Sequence, residues 1–304
     1  MIQVKYSPNI KDEYYKIIAQ TKMQQYNNRT FESYYNSYVK SKIDDYELRD
    51  LLCGDYEKLV EIKDKIKSKY SSQNNIVKQL FNYDKTKSKT FTPKLSKLQP
   101  KISAFFQDKV KVDTCYFCNI AFINKFKNAK GEIKNGFTLD HYIDKGKYPF
   151  LALSLYNLIP SCYICNSKVK GINEIDNLSP SSSKFDFDKK VKFTTFINND
   201  NLQIENESDF NLLLKENFSN EYQEYIKGFL LNERYEYHKY IVIEMIKKRK
   251  EYPDSRIKEL AYITQKTEEE VRQDLFGKYL NDDLHKRPLS KLIKDISEEL
   301  GFIK

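Results

Sequence analysis

Four of the five cysteines stand in two pairs of identical spacing, Cys115-Tyr116-Phe117-Cys118 and Cys162-Tyr163-Ile164-Cys165. The fifth, Cys53, follows Leu51-Leu52 and reads as a small buried apolar residue. Two C-x2-C knuckles supply four thiolates, the donor set of a tetrahedral Zn2+ site. A redox dithiol pair and an iron–sulfur cluster are the competing readings of that spacing. A secreted disulfide scaffold would be shorter and denser in cysteine. The 43 residues between Cys118 and Cys162 exceed what a simple zinc ribbon needs, so something is inserted between the knuckles. The insert carries Leu139-Asp140-His141 and then Asn157-Leu158-Ile159-Pro160, and Asn166-Ser167-Lys168 follows Cys165. A four-thiolate site has no open coordination position, so any catalysis belongs to these polar residues and not to the zinc. Hydrolysis of a phosphodiester asks for a base that works near neutral pH, which suits histidine. It asks for a hard divalent cation on oxygen ligands, which suits Asp with a neutral oxygen donor, and for a group that orients the base. Asp140, His141, Asn157 and Asn166 can fill these roles. Taken singly, each has a plainer reading, since a lone histidine is more often structural than catalytic.

Together these residues resemble the HNH endonuclease motif of the ββα-metal class: Leu-Asp-His, then Asn-Leu-Ile-Pro-x-Cys-x-x-Cys-Asn, framed by the earlier Cys-x-x-Cys. The resemblance implies that His141 is the general base that activates water. It implies that Asp140 and Asn166 hold a catalytic Mg2+ or Mn2+ and that Asn157 holds the loop that orients His141. Cys115, Cys118, Cys162 and Cys165 match the zinc knuckles that brace many such cores. Many members have His at the last motif position, where this chain has Asn166. An amide oxygen there suits Mg2+ better than a softer metal. The implied substrate is double-stranded DNA, cut to leave 5′-phosphate and 3′-hydroxyl ends. Lys145 and Lys147 after His141, and Lys168 and Lys170 after Asn166, are candidates for phosphate contact, with solvated surface lysines as the alternative. Tyr142 and Tyr148 are better read as packing than as base-stacking residues in a chain with 24 tyrosines.

The elements that must position these groups can be outlined from periodicity. The expected fold is α+β, a zinc-braced ββα-metal core flanked by mainly helical regions. Four regions follow: helical 1–83, a basic linker or arm at 84–106, the core at 107–186, and a mainly helical 187–304. In the first, Tyr15, Ile18 and Ala19 mark one helix, and an apolar stripe runs from Leu48 through Leu51 and Leu52, past Gly54, to Leu59, Ile62 and Ile66. Residues 84–101 hold six lysines and one acidic residue. Within the core, Ile120–Ile123 and Gly136–Leu139 read as strands, Asn128–Gly131 as a turn, and Cys165–Lys170 as the start of a short helix. Short strands are expected near Val191–Phe193 and Leu202–Ile204. A long helix over Tyr222–Lys250 stops at Pro253, a helix over Arg256–Ile263 follows, Thr267 caps the one after it, and Pro288 starts the last.

The charge is uneven. Residues 1–170 carry an excess of 13 basic groups and the remainder an excess of four acidic ones, for a net +9. A basic front favours a polyanionic partner, although a Lys-, Asn- and Tyr-rich composition also arises from coding bias. No run of about 18 apolar residues is present and the first residues lack a signal-peptide core, so a cytoplasmic protein with no membrane partner is expected. His238-Lys239, Lys248, Tyr252-Pro253, Asp274 to Gly277 and Arg287 to Leu292 resemble the tail of HNH proteins found with retrons and Septu-type phage-defence cassettes. That likeness implies an effector nuclease paired with an ATPase subunit. The alternative is a zinc-braced nucleic-acid-binding or adaptor subunit with little cleavage of its own.

Overall fold

Gly54 divides the long apolar stripe. Its backbone leaves the helix at ψ 139°, and a Cβ there would meet the Asp50 carbonyl oxygen at 2.4 Å. The stripe therefore forms two helices, Leu48–Cys53 and Tyr56–Lys67, that bury Leu48, Leu51, Leu52, Leu59, Ile62 and Ile66. The computed structural model describes residues 1–23, 27–67, 75–81, 98–110, 112–171, 173, 175, 178–276 and 283–303. It is a mixed α/β chain with small two-stranded sheets, and it divides into two compact units. One comprises Gln3–Phe117 and Phe122–Phe185; the other comprises Met1–Ile2, Cys118–Ala121 and Asp186–Lys304. Among the described residues no helix is long and apolar enough to cross a membrane.

In the first unit the N-terminal helices and the cysteine-framed region fold together, rather than as separate regions joined by an arm. Of the expected basic arm, residues 84–97 lie outside the described residues. Its remainder is no linker: Leu98–Lys109 is a helix that buries Leu98, Ile102, Phe105 and Phe106. Pro100 is tolerated in its first turn, where the missing N–H would have had no partner. Helix Ile10–Ala19 packs on it, with the Tyr14 ring 5.2 Å from Phe105 and 6.4 Å from Phe106. The Tyr14 hydroxyl donates to the Leu153 carbonyl at 2.9 Å, and the Ser154 hydroxyl donates to the Leu51 carbonyl. The scaffold helices thus grip the stretch that precedes Asn157.

Strands β1 (Lys22–Met23) and β2 (Arg29–Thr30) pair antiparallel. The expected strand at Ile120–Ile123 is reduced to a single bridge, Thr114 to Phe122. The hairpin lies just beyond, as β3 (Phe126–Lys127) and β4 (Ile133–Lys134) around the anticipated turn. There Asn128 Oδ1 accepts from the Lys130 and Glu132 amides, and Gly131 takes φ +76°. Strand β5 (Thr138–His141) pairs antiparallel with β6 (Leu158–Ser161), Asp140 opposite Ile159 and His141 opposite Leu158. Pro160 can sit in β6 because the sheet has only two strands, and its carbonyl accepts from the Tyr116 amide of the first knuckle. The short helix expected from Cys165 forms as Ile164–Lys170, in a widened form closed by the Gly171 N–H on the Asn166 carbonyl five residues back.

The second unit is built on β7 (Val191–Ile197) and β8 (Phe210–Glu216), antiparallel from Val191 opposite Glu216 to Ile197 opposite Phe210. The strand expected at Leu202–Ile204 does not form. Leu202 is exposed in the connection with φ +52°, and the partner strand starts eight residues later. Phe210, Leu212 and Leu214 do alternate inward, but Leu213 fills the polar position between them and makes the run read as helical. The expected long helix breaks at Leu230, which takes φ +50°, and tightens again to a 3-10 turn at Glu236–His238, giving Gln223–Gly228, Leu231–Tyr235 and Lys239–Glu251. Pro253 and Thr267 act as anticipated, and Thr267 and Glu270 cap each other reciprocally ahead of helix Glu268–Phe276. The last helix, Ser290–Glu299, starts two residues after Pro288 and is capped from a distance: Asn119 Oδ1 accepts from the Lys291 amide at 3.1 Å. Lys291 itself is fully buried, its ammonium 2.5 Å from Asp295 Oδ2 and 2.7 Å from the Val191 carbonyl.

Candidate functional site

The four paired cysteines are buried, and their sulfur atoms all lie within 4.8 Å of one another. A tetrahedral ion with bonds of about 2.3 Å would hold its thiolates about 3.8 Å apart, so one structural metal ion such as zinc fits the cluster. The backbone prepares the sulfurs for negative charge. The Cys162 amide donates to Cys115 Sγ, the Cys165 amide to Cys162 Sγ and the Ile120 amide to Cys118 Sγ, at 3.3–3.4 Å. Cys53 takes no part; its thiol donates to the Lys11 carbonyl, and burial pushes its pKa up to about 11.

Beside this cluster Asp140, His141, Asp144, Lys145, Asn166 and Lys170 help to line a cavity of about 440 Å³. Neighbouring residues on a strand point to opposite faces, but His141 is the last residue of β5, and both it and Asp140 reach the cavity. His141 is half-buried, and its Nε2 lies 3.0 Å from the Ala152 carbonyl. A carbonyl only accepts, so Nε2 carries the proton and Nδ1 the lone pair. Burial, reinforced by the charge of Lys145, lowers the imidazole pKa to about 3, which keeps the ring neutral at physiological pH.

Asp140 is 2% exposed, and burial raises its carboxyl pKa to about 6 against the opposing charge of Lys170. The Lys170 ammonium lies 3.1 Å from Oδ2 and 3.4 Å from Oδ1. Only the Oδ1 contact has hydrogen-bond geometry, which leaves Oδ2 a buried carboxylate oxygen with no hydrogen bond among the described residues. The donor types suit a divalent cation, since Oδ2 is a hard anionic oxygen and the half-buried Asn166 lines the same cavity. Lys170, expected at the surface as a phosphate contact, is instead 3% exposed and also donates to the His141 carbonyl at 3.0 Å. Lys145, Lys147 and Lys168 are exposed, and Tyr142 and Tyr148 are buried in packing.

Asn157 is fully buried. Its Oδ1 accepts from the Ile143 amide at 2.6 Å, and its Nδ2 donates to the Ile143 and Leu151 carbonyls at 3.1 and 3.0 Å. It holds the chain on both sides of the Ala152–His141 contact. The Ala152 carbonyl could not have been found from sequence, because no side-chain type marks it. Asp144 carried a weak signal, an acid three residues past His141 beside Gly146, whose amide it accepts at 2.7 Å. No protein-family model matches this chain, and no curated protein and no solved structure matches it.

Proposed function

We propose that the protein is a metal-dependent endonuclease of the HNH kind that hydrolyses phosphodiester bonds in double-stranded DNA. The observation that carries this reading is the meeting of Asp140, His141 and Asn166 on one cavity, brought by two paired strands and a short helical segment beside a four-cysteine cluster. His141 Nδ1 takes a proton from water, and the resulting hydroxide adds to phosphorus as the bond to the 3′ oxygen breaks. The Ala152 carbonyl holds the tautomer that leaves Nδ1 able to accept, and the charge that the imidazole gains is stabilised by the incoming phosphate. Asp140 and Asn166 would hold Mg2+ or Mn2+, which when bound neutralises the phosphate and the leaving oxygen. Lys145 and Lys168, both exposed, would contact the DNA backbone. From the resemblance of the tail we infer an effector nuclease of an anti-phage defence system, one that would work with an ATPase subunit.

The decisive experiment is nicking of supercoiled plasmid in Mg2+ or Mn2+. His141→Ala should reduce the rate by at least about a hundredfold while zinc content and melting temperature stay those of the wild type. Unchanged nicking removes His141 as the base. The Lys170–Asp140 ion pair favours a second reading, a DNA-binding or adaptor subunit without cleavage; DNA retention with no nicking by the wild type at any metal concentration would select it.

A further inference from the structure

A cation already sits on a carboxylate that lines the cavity. Lysines are almost never fully buried unless paired, and Lys170 is 3% exposed. Its ammonium lies 3.1 Å from Asp140 Oδ2, 3.0 Å from the His141 carbonyl oxygen and 5.9 Å from the centre of the Tyr142 ring. The backbone is committed to delivering it there. Lys170 ends the widened segment Ile164–Lys170 that also brings Asn166, and the next residue, Gly171, takes φ +53° and ψ −120°, a conformation that L side chains rarely adopt. One short segment therefore carries both a neutral oxygen donor for a divalent ion and a positive charge that opposes the same ion.

We propose that Lys170 is a resident cation that occupies the Asp140 carboxylate in place of the divalent metal, so that metal enters only as the ammonium leaves. The inference rests on the reading of Asp140 as a metal ligand. A positive charge about 3 Å from the ligand oxygen repels a second cation there, and a buried setting screens that repulsion poorly. Without metal, the ammonium neutralises a carboxylate that would otherwise be buried alone. With DNA bound, a phosphodiester is the anion of matching chemistry to draw the ammonium off Asp140. Metal and DNA then favour each other's binding, since coupling between two ligands is reciprocal.

Mn2+ binding to zinc-loaded protein, followed by electron paramagnetic resonance without nucleic acid, tests this apart from activity. Lys170→Gln keeps a donor for the His141 carbonyl and removes the charge; Lys170→Met removes both. Each should bind one Mn2+ at least about tenfold more tightly than the wild type, and adding Asp140→Asn to either should abolish the gain. If Asp140→Asn weakens Mn2+ binding in the wild type but both Lys170 variants bind as the wild type does, the metal reading stands and the resident-cation inference falls. If Asp140→Asn changes nothing in any background, Asp140 is not a ligand and both fall. A further arm does not depend on how the Lys170 variants fold. In His141→Ala protein a short DNA duplex should tighten Mn2+ binding about tenfold, after subtraction of Mn2+ held by the duplex alone, and no tightening overturns the inference.

Discussion

The imidazole of His141 is neutral because of where it lies, and that has a measurable cost. Its folded-state pKa of about 3 is below the ordinary 6.5, so between those values the unfolded chain holds a proton that the folded chain does not. Stability therefore falls as pH drops through that window, by at most about 1.4 kcal/mol per pH unit. His141→Gln removes this loss. Between pH 7 and pH 5 the wild type should lose about 1 to 2 kcal/mol more stability than the variant, read from urea unfolding at both pH values. Asp140 acts with the opposite sign, since its raised pKa makes the folded state take up a proton first as pH falls below about 6, but both proteins share that contribution. Equal losses would mean that the ring is already protonated or solvated in the native state. Asn157 makes a second case. Asn157→Ala leaves the Ile143 amide and two carbonyls without their partner in a fully buried place, at about 3 kcal/mol in total. Activity should drop with it, through loss of alignment at Ala152 and not through lost chemistry. A variant with full stability and no activity would instead make Asn157 a participant in the reaction.

At the scale of elements, the cysteine cluster and the β5–β6 pair stand or fall together, because the Tyr116 amide of one knuckle bonds to Pro160 of β6. Cys162→Ser should lower bound zinc below one equivalent and melt the protein many degrees earlier, as should a strong chelator, since binding energy at a structural site is folding energy. Zinc content by plasma emission and calorimetry check this; an unchanged melting point with zinc lost would show that the metal is not structural. This part of the fold was legible in the sequence for a physical reason. Cysteines at fixed spacing and a strand ending in Asp-His are local signals, and the turn at Asn128–Gly131 needs only its own residues. What failed to show was decided by tertiary context. Lys170 looked like a surface cation because nothing local reveals that it folds back onto Asp140. The Tyr222–Lys250 periodicity is helical throughout, but the chain turns at Leu230. Strand β8 was hidden by Leu213, an apolar residue on the outward row. The same holds for Lys291, which reads as an ordinary helix lysine but lies wholly buried against Asp295 and Asp188. Lys291→Met alone should cost about 3 kcal/mol, because it takes the closest cation from the buried Asp295, which keeps only Lys192 at 3.4 Å and the Phe193 amide, whereas Lys291→Met with Asp295→Leu should recover much of that loss.

At the scale of the whole molecule, the two units differ in charge. The unit that holds the cavity carries 31 basic and 19 acidic residues, a net +12, and the other carries 21 and 24, a net −3. A polyanion is therefore expected to engage the first unit, and the β3–β4 hairpin is the element most open to it. Phe126, Lys127, Lys130, Ile133 and Lys134 are all exposed, and neither face of the hairpin is covered by a core. Gly136, whose amide bonds to the Asn124 carbonyl at the hairpin base, directly precedes the cavity-lining Phe137. On the endonuclease reading, lysines beside exposed apolar groups would suit a DNA backbone and groove. His141→Ala protein allows this to be measured on intact duplex. Lys127→Glu, Lys130→Glu and Lys134→Glu together should weaken binding at least about tenfold at 50 mM salt. The plot of log affinity against log salt should also become shallower by about 2 to 3, since each lost phosphate contact removes about 0.9 from the slope. The same number of reversals at Lys215, Lys227 and Lys258, exposed on the acidic unit, should leave both quantities within a factor of two. If the two triple variants weaken binding equally, attraction follows net charge alone and the hairpin has no special part in holding DNA.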